Sequence, residues 1–192
     1  MKSYSAYFVR SEDFDIAKSR FGKVTPVVDS SWLLCDFDRD DCPPEDEVLW
    51  GRESITEAKS VGLREIIFVY GDTSVDGFVY EHRLDGVLVR KLVWFPMLND
   101  DWESGWLCAE GESEDWEKTL FSSESLERFI GYERERYADE GKETDFPTRE
   151  TEIREVWNAG KIIPGNPFPM CDGTVSLLVE ESYGIKWVTS RT

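Results

Sequence analysis

The dipeptide Asp85-Gly86, set between FVYEHRL and VLVRKLVWF, constrains the fold of this chain more than any other feature. A two-residue type I′ turn needs positive φ at both positions, which Asp tolerates and Gly favours, so residues 78–95 are predicted to form a β-hairpin. Extending the ladder from that turn sets Leu84 opposite Val87, His82 opposite Val89, Glu81 opposite Arg90 and Phe78 opposite Val93. One side then carries Phe78, Tyr80, His82, Leu84, Val87, Val89 and Val93, and this is the expected core side. Trp106 to Ala109 reads as a third antiparallel strand beyond a loop from Pro96 to Ser104.

The other segments fit around this hairpin. SYSAYFVR at 3–10 has strand composition, and Ser11 stands where it would cap a helix carrying Phe14, Ala17 and Phe21, ended by a left-handed Gly22. WLLCDF at 32–37 is a short buried strand after a turn at Pro26, and DRDDCPPEDE is an acidic loop. Ser54 and Glu57 form a capping box for a helix over 55–61, and IIFVY at 66–70 is a central strand apolar on both faces. Ser122 or Ser123 caps a helix to about 139, with Leu126, Phe129, Ile130 and Tyr137 on one stripe. Thr148 caps a second helix over 149–159 that turns Ile153, Val156 and Trp157 inward. Three prolines make 162–173 a covering loop, and 175–179 with 185–188 read as a closing hairpin around Tyr183-Gly184. The expectation is a single α+β domain over 1–192: an antiparallel or mixed β-sheet, a meander built on the 78–95 hairpin, with helices near 12–21, 124–139 and 149–159 packed on it.

Charge narrows the function. With 40 acidic against 22 basic residues the formal charge is −18, while 40% hydrophobic content supplies a core that acidic disordered tails lack. Such a surface repels phosphate backbones and anionic membranes, and no basic cluster reverses the field, so neither nucleic acid nor membrane is an expected partner. Arg10, Glu12 and Asp13 interrupt the N-terminus before a secretory core forms, which makes the cytoplasm the expected location. Cys35, Cys42, Cys108 and Cys171 form no CxxC pair and are expected to be reduced thiols, and no cofactor motif is present.

Two segments offer chemistry. Asp36, Asp38, Asp40 and Glu47 fall at positions 1, 3, 5 and 12 of an EF-hand-like loop, the basis for an alternative reading as a divalent-metal-dependent hydrolase. Against that pattern, position 6 is Asp41 where Gly makes the sharp turn, and position 8 is Pro43. His82 is the lone histidine and has no nucleophile-elbow signature beside it, so it reads as a core residue and the chain as a non-enzyme. Trp102, Trp106 and Trp116 stand among Asp100, Asp101, Glu103, Glu112, Glu114 and Asp115. Aromatic anchors ringed by carboxylates suit a basic protein partner, the carboxylates steering its approach. Size, acidity, tryptophan content and α+β pattern together resemble the small bacterial immunity proteins that neutralise secreted toxins. The resemblance implies a protein partner, and nucleic-acid-attacking toxins are commonly basic.

Overall fold

The computed structural model describes residues 3–39, 55–73, 76–96, 104–171 and 173–185. Among these, seven strands form one antiparallel sheet: β1 (Ser3–Arg10), β2 (Val24–Pro26), β3 (Trp32–Arg39), β4 (Glu65–Asp72), β5 (Gly77–Leu84), β6 (Val87–Pro96) and β7 (Ser104–Gly111), in the order β2-β3-β1-β4-β5-β6-β7. Six helices pack on it: α1 (Phe14–Arg20), α2 (Ile55–Ser60), α3 (Glu117–Leu120), α4 (Ser123–Asp139), α5 (Phe146–Ala159) and α6 (Gly173–Tyr183). The fold is α+β, with β4 to β7 forming the expected meander around the hairpin.

Alternation along the strands separates two cores. Ala6, Phe8, Ile67, Val69, Phe78, Tyr80, Leu92, Trp94 and Trp106 point to one face and meet Val175 and Val179 of α6, Leu120 of α3 and Ile162. Tyr7, Val9, Leu33, Cys35, Ile66, Phe68, Val79 and Val93 point to the other, beneath Ala17 of α1 with Phe21 and Leu63. A third cluster joins Ile130 of α4 to Ile153, Val156 and Trp157 of α5 over Phe168.

The hairpin turn has the expected geometry, with φ of 48° at Asp85 and 80° at Gly86. The register beyond it differs from the expected one. Leu84 faces Val87, but a bulge at Val89 sets His82 opposite Arg90, Glu81 opposite Lys91, Tyr80 opposite Leu92 and Phe78 opposite Trp94. The extra residue moves every later β6 side chain to the opposite face. Val93 therefore packs beside Val79 rather than Phe78, Arg90 enters the face that holds His82, and Leu84 and Val87 at the turn are exposed.

Other local expectations are also corrected. Ser11 opens a short 3-10 turn without capping α1, and α1 ends on Phe21 in extended backbone, with no left-handed Gly22. Pro26 ends the short edge strand β2 rather than making a turn. Asp145, not Thr148, precedes α5, which begins at Phe146 with Pro147 in its first turn. The segment predicted as a closing hairpin is helix α6. Val175, Val179 and Tyr183 recur at helical spacing against the sheet, and their β-branched neighbours had mimicked a strand. Ser54 of the capping box and the remainder of the second closing strand lie outside the described residues.

Gly111 ends β7 with φ of 81°, and a Cβ there would overlap the carbonyl of Val89 at the bulge. Gly111→Ala is expected to cost about 2–3 kcal/mol through this clash and the left-handed backbone. A urea-unfolding midpoint within error of the parent would contradict the close approach.

Candidate functional site

A buried polar network lies at one end of the α6-covered face, where β1, β4, β5, the β7–α3 turn and the end of α6 converge. Three consecutive charged or polar residues, Glu81, His82 and Arg83, interrupt an otherwise apolar strand β5, and all three are buried. Pleating divides them, so His82 faces α6 and its neighbours face the opposite side.

The His82 ring is held at both nitrogens. Nδ1 donates to Glu114 Oε1 at 2.5 Å, and Nε2 donates to Glu65 Oε1 at 3.0 Å. A carboxylate on each side favours a proton on both nitrogens and so the imidazolium form. Burial alone would lower its pKa, but the hydrogen bonds and charges of Glu114 and Glu65 outweigh burial and raise it above the ordinary 6.5. Each carboxylate has further donors. Glu114 accepts from the Tyr183 hydroxyl at 2.7 Å, the Tyr80 hydroxyl at 2.6 Å and the Trp116 indole N–H at 2.8 Å, and Glu65 accepts from Arg10 Nε at 2.5 Å. Burial pushes both carboxyl groups up, yet these donors with His82 hold both below the ordinary 4.5. Burial and the Glu114 charge push the Tyr80 hydroxyl well above its ordinary range, so it stays a neutral donor.

A second buried pair adjoins this network. The Val89 bulge brings Arg90 inward, where Nε and Nη2 donate to the two oxygens of Glu117 at 2.8 and 2.7 Å, with both side chains almost wholly buried. The remaining Arg90 nitrogen donates to the carbonyls of Glu110 and Gly111. Glu117 Oε1 also accepts the backbone N–H of Glu114 at 2.9 Å, so the two buried glutamates brace one turn.

This arrangement is chemically closed. A general base needs a free lone pair, and both His82 nitrogens are spent on carboxylates. Among the described residues its hydrogen-bond partners are Glu65, Glu114 and Tyr183, with no Ser or Cys nucleophile between them. Cys35 and Cys108 are free thiols, and burial with acidic neighbours pushes Cys35 up to about 12 and Cys108 to about 11, which leaves these two with little thiolate at neutral pH. Cys42 lies outside the described residues.

The residues singled out from sequence separate into several groups. Trp106 is fully buried against Trp94 with its indole N–H on the Pro169 carbonyl, and Trp116 is buried with its N–H on Glu114. Neither is a surface anchor, because each indole found its polar partner inside the core. Glu114 points inward, whereas Glu112 and Asp115 are exposed and Asp115 pairs with Lys118 at 2.6 Å. Asp36 and Asp38 lie on β3 and not in a loop entered from a helix, and Asp36 accepts the Lys23 N–H and pairs with Lys59. That placement departs from the EF-hand pattern. Among the described residues no group of three or more His, Cys, Asp or Glu side chains is placed to hold a metal ion. Trp102, Asp100, Asp101, Glu103, Asp40 and Glu47 lie outside the described residues.

His82 was expected in the core and is there, but its charged state and its partners were missed. Glu65 and Glu114 are 17 and 32 residues away, so no local motif joins them. The one sequence signal was the EHR triplet inside a central strand, where buried charge demands a partner. No helix among the described residues is long and apolar enough to cross a membrane. No protein-family model matches the chain, and neither a curated protein nor a solved structure does.

Proposed function

We propose that this chain is a non-catalytic acidic binding protein that receives a basic protein partner on the turn from Glu110 to Asp115, in the manner of an immunity protein neutralising a cationic toxin. The supporting observation is the way this turn is held. Glu114 and Glu117 point inward and are locked by His82, Tyr80, Tyr183 and Arg90, while Glu110, Glu112 and Asp115 between and beside them are exposed. The Glu112 N–H donates to the Val89 carbonyl at 3.1 Å, which fixes the near end of the turn. A loop held in this way loses little conformational entropy on binding. Its outward carboxylates add to the field of a chain with net charge −18, and such a field speeds association with cationic surfaces.

Arg134, Arg136, Arg149 and Arg154 are already paired with carboxylates of α4, α5 and the turn after α4. Those cations are therefore matched within the molecule. The test is capture of a partner from the native source at low salt, followed by association kinetics across ionic strength. The partner is expected to be basic, with the on-rate falling more than the off-rate climbs as salt rises. Charge reversal of Glu112 and Asp115 to Lys is expected to slow association about tenfold while leaving the unfolding midpoint unchanged. A neutral or acidic partner, or an on-rate indifferent to the two reversals, contradicts the reading.

A further inference from the structure

A cleft of about 510 Å³ opens between α3, α4, α5, α6 and the Pro169-Met170 loop. Its wall is aromatic and apolar: Phe129, Tyr132, Trp157, Met170 and Leu178. Phe129 stacks on Trp157 with centroids 5.7 Å apart and on Tyr132 at 6.4 Å, so the wall is a row of rings held by one another. Tyr132 and Met170 are exposed there.

The polar rim holds Thr119, Ser122, Glu124, Ser125 and Arg128. Ser122 is occupied in capping α4, its hydroxyl accepting the Ser125 N–H at 3.2 Å. Arg128 differs from the other arginines of α4 and α5. Among the described residues it joins none of the ion pairs that hold Arg134, Arg136, Arg149 and Arg154. In a chain with such an excess of carboxylates, a guanidinium left without one at the mouth of an aromatic cleft is the feature to be explained. Its five donors form a planar fork that matches a carboxylate or sulfonate. The hydroxyls of Thr119 and Ser125 on the same rim supply further donors. Glu124 stands one helical turn before Arg128 on the same rim.

We infer that this cleft binds a small aromatic monoanion, an aryl body carrying one carboxylate or sulfonate, with the ring against Phe129, Tyr132 and Trp157 and the anion on Arg128. The volume lies in the range of about 300–1,000 Å³ that small ligands occupy. Ring on ring and Met170 sulfur on ring are the favourable contacts for such a body. The cleft shares no lining residue with the acidic turn, so either reading can fail alone.

The test uses three dyes on the native chain at neutral pH: anilinonaphthalene sulfonate, the neutral phenylnaphthylamine with the same rings, and a naphthylamine bearing a trimethylammonium group. The sulfonate is expected to saturate a single site and to bind at least about tenfold tighter than the cation. Arg128→Glu should weaken the sulfonate about tenfold or more and leave the neutral dye within about twofold, whereas Arg128→Lys should keep the preference for the anion. Equal binding of all three dyes, or no response to Arg128→Glu, would mean an unspecific apolar surface and would overturn the inference. A preference for the cationic dye would assign the cleft to a basic polypeptide instead. Sulfonate affinity that falls as protein concentration rises would assign it to a second copy of this chain, and absence of saturable binding also refutes the proposal.

Discussion

Arg90→Leu is expected to lower the unfolding free energy by about 3–5 kcal/mol, the largest single-residue effect anticipated outside the apolar core. Arg90 and Glu117 are almost fully buried and share two charge-assisted hydrogen bonds, so removing the guanidinium leaves a buried carboxylate without its counter-ion. The carbonyls of Glu110 and Gly111 lose a donor in the same substitution. Much of that cost is the stranded partner rather than the net worth of the pair. The double variant Arg90→Leu with Glu117→Leu is therefore expected to recover most of the loss. Recovery stays incomplete because the Glu114 N–H also donates to Glu117, and an unpaired buried N–H costs about 1–3 kcal/mol. Urea unfolding of the parent, both single variants and the double variant measures this coupling. A double variant no more stable than Arg90→Leu alone would show that the pair contributes through packing and not through charge.

His82→Leu is expected to cost about 3 kcal/mol or more at pH 6, and to change how stability depends on pH. The parent's dependence has two sides. The folded pKa of His82 is raised, so its contribution is fully present below the ordinary 6.5 and is lost as pH rises through the raised folded value. Glu65 and Glu114 are lowered, so their contribution is present above the ordinary 4.5 and is lost as pH falls through their folded values. Between 4.5 and 6.5 the whole network is charged, and the parent should be most stable there. In His82→Leu the decline above neutral pH should disappear. Part of the acid-side decline should remain, because Arg10, Tyr80, Tyr183 and Trp116 still donate to the two carboxylates. Denaturant midpoints from pH 4 to pH 9 for both proteins check this. A parent whose stability rises steadily from pH 6 to pH 9 would oppose it.

The parts of this molecule legible in the sequence are those fixed by local chemistry. Asp85-Gly86 specified its turn because two successive residues needed positive φ, and Ser122 announced α4 because its hydroxyl satisfies a free N–H of the first turn. Features decided by distant neighbours were not legible. The Val89 bulge follows from what lies above the sheet: it gives Arg90 to Glu117 and Lys91 to Glu81, pairings that the unbulged ladder cannot make. Helix α6 was hidden because Val175 and Val179 satisfy strand and helix patterns alike, and only the sheet they cover decides between them. The tryptophans misled for a related reason. Acidic neighbours suggested an exposed band, but Glu114 turned inward and brought Trp116 with it as a donor.

His82, bonded at both ring nitrogens, is expected to pin the acidic turn as an imidazolium, and nitrogen-detected NMR of its ring across pH tests this most directly. Both ring nitrogens are expected to be protonated at pH 7, with a titration midpoint above 6.5 and with the turn's amide signals at Glu112 and Asp115 shifting at the same midpoint. A neutral ring at pH 7 that titrates at or below 6.5, with those amides indifferent to it, would contradict the account.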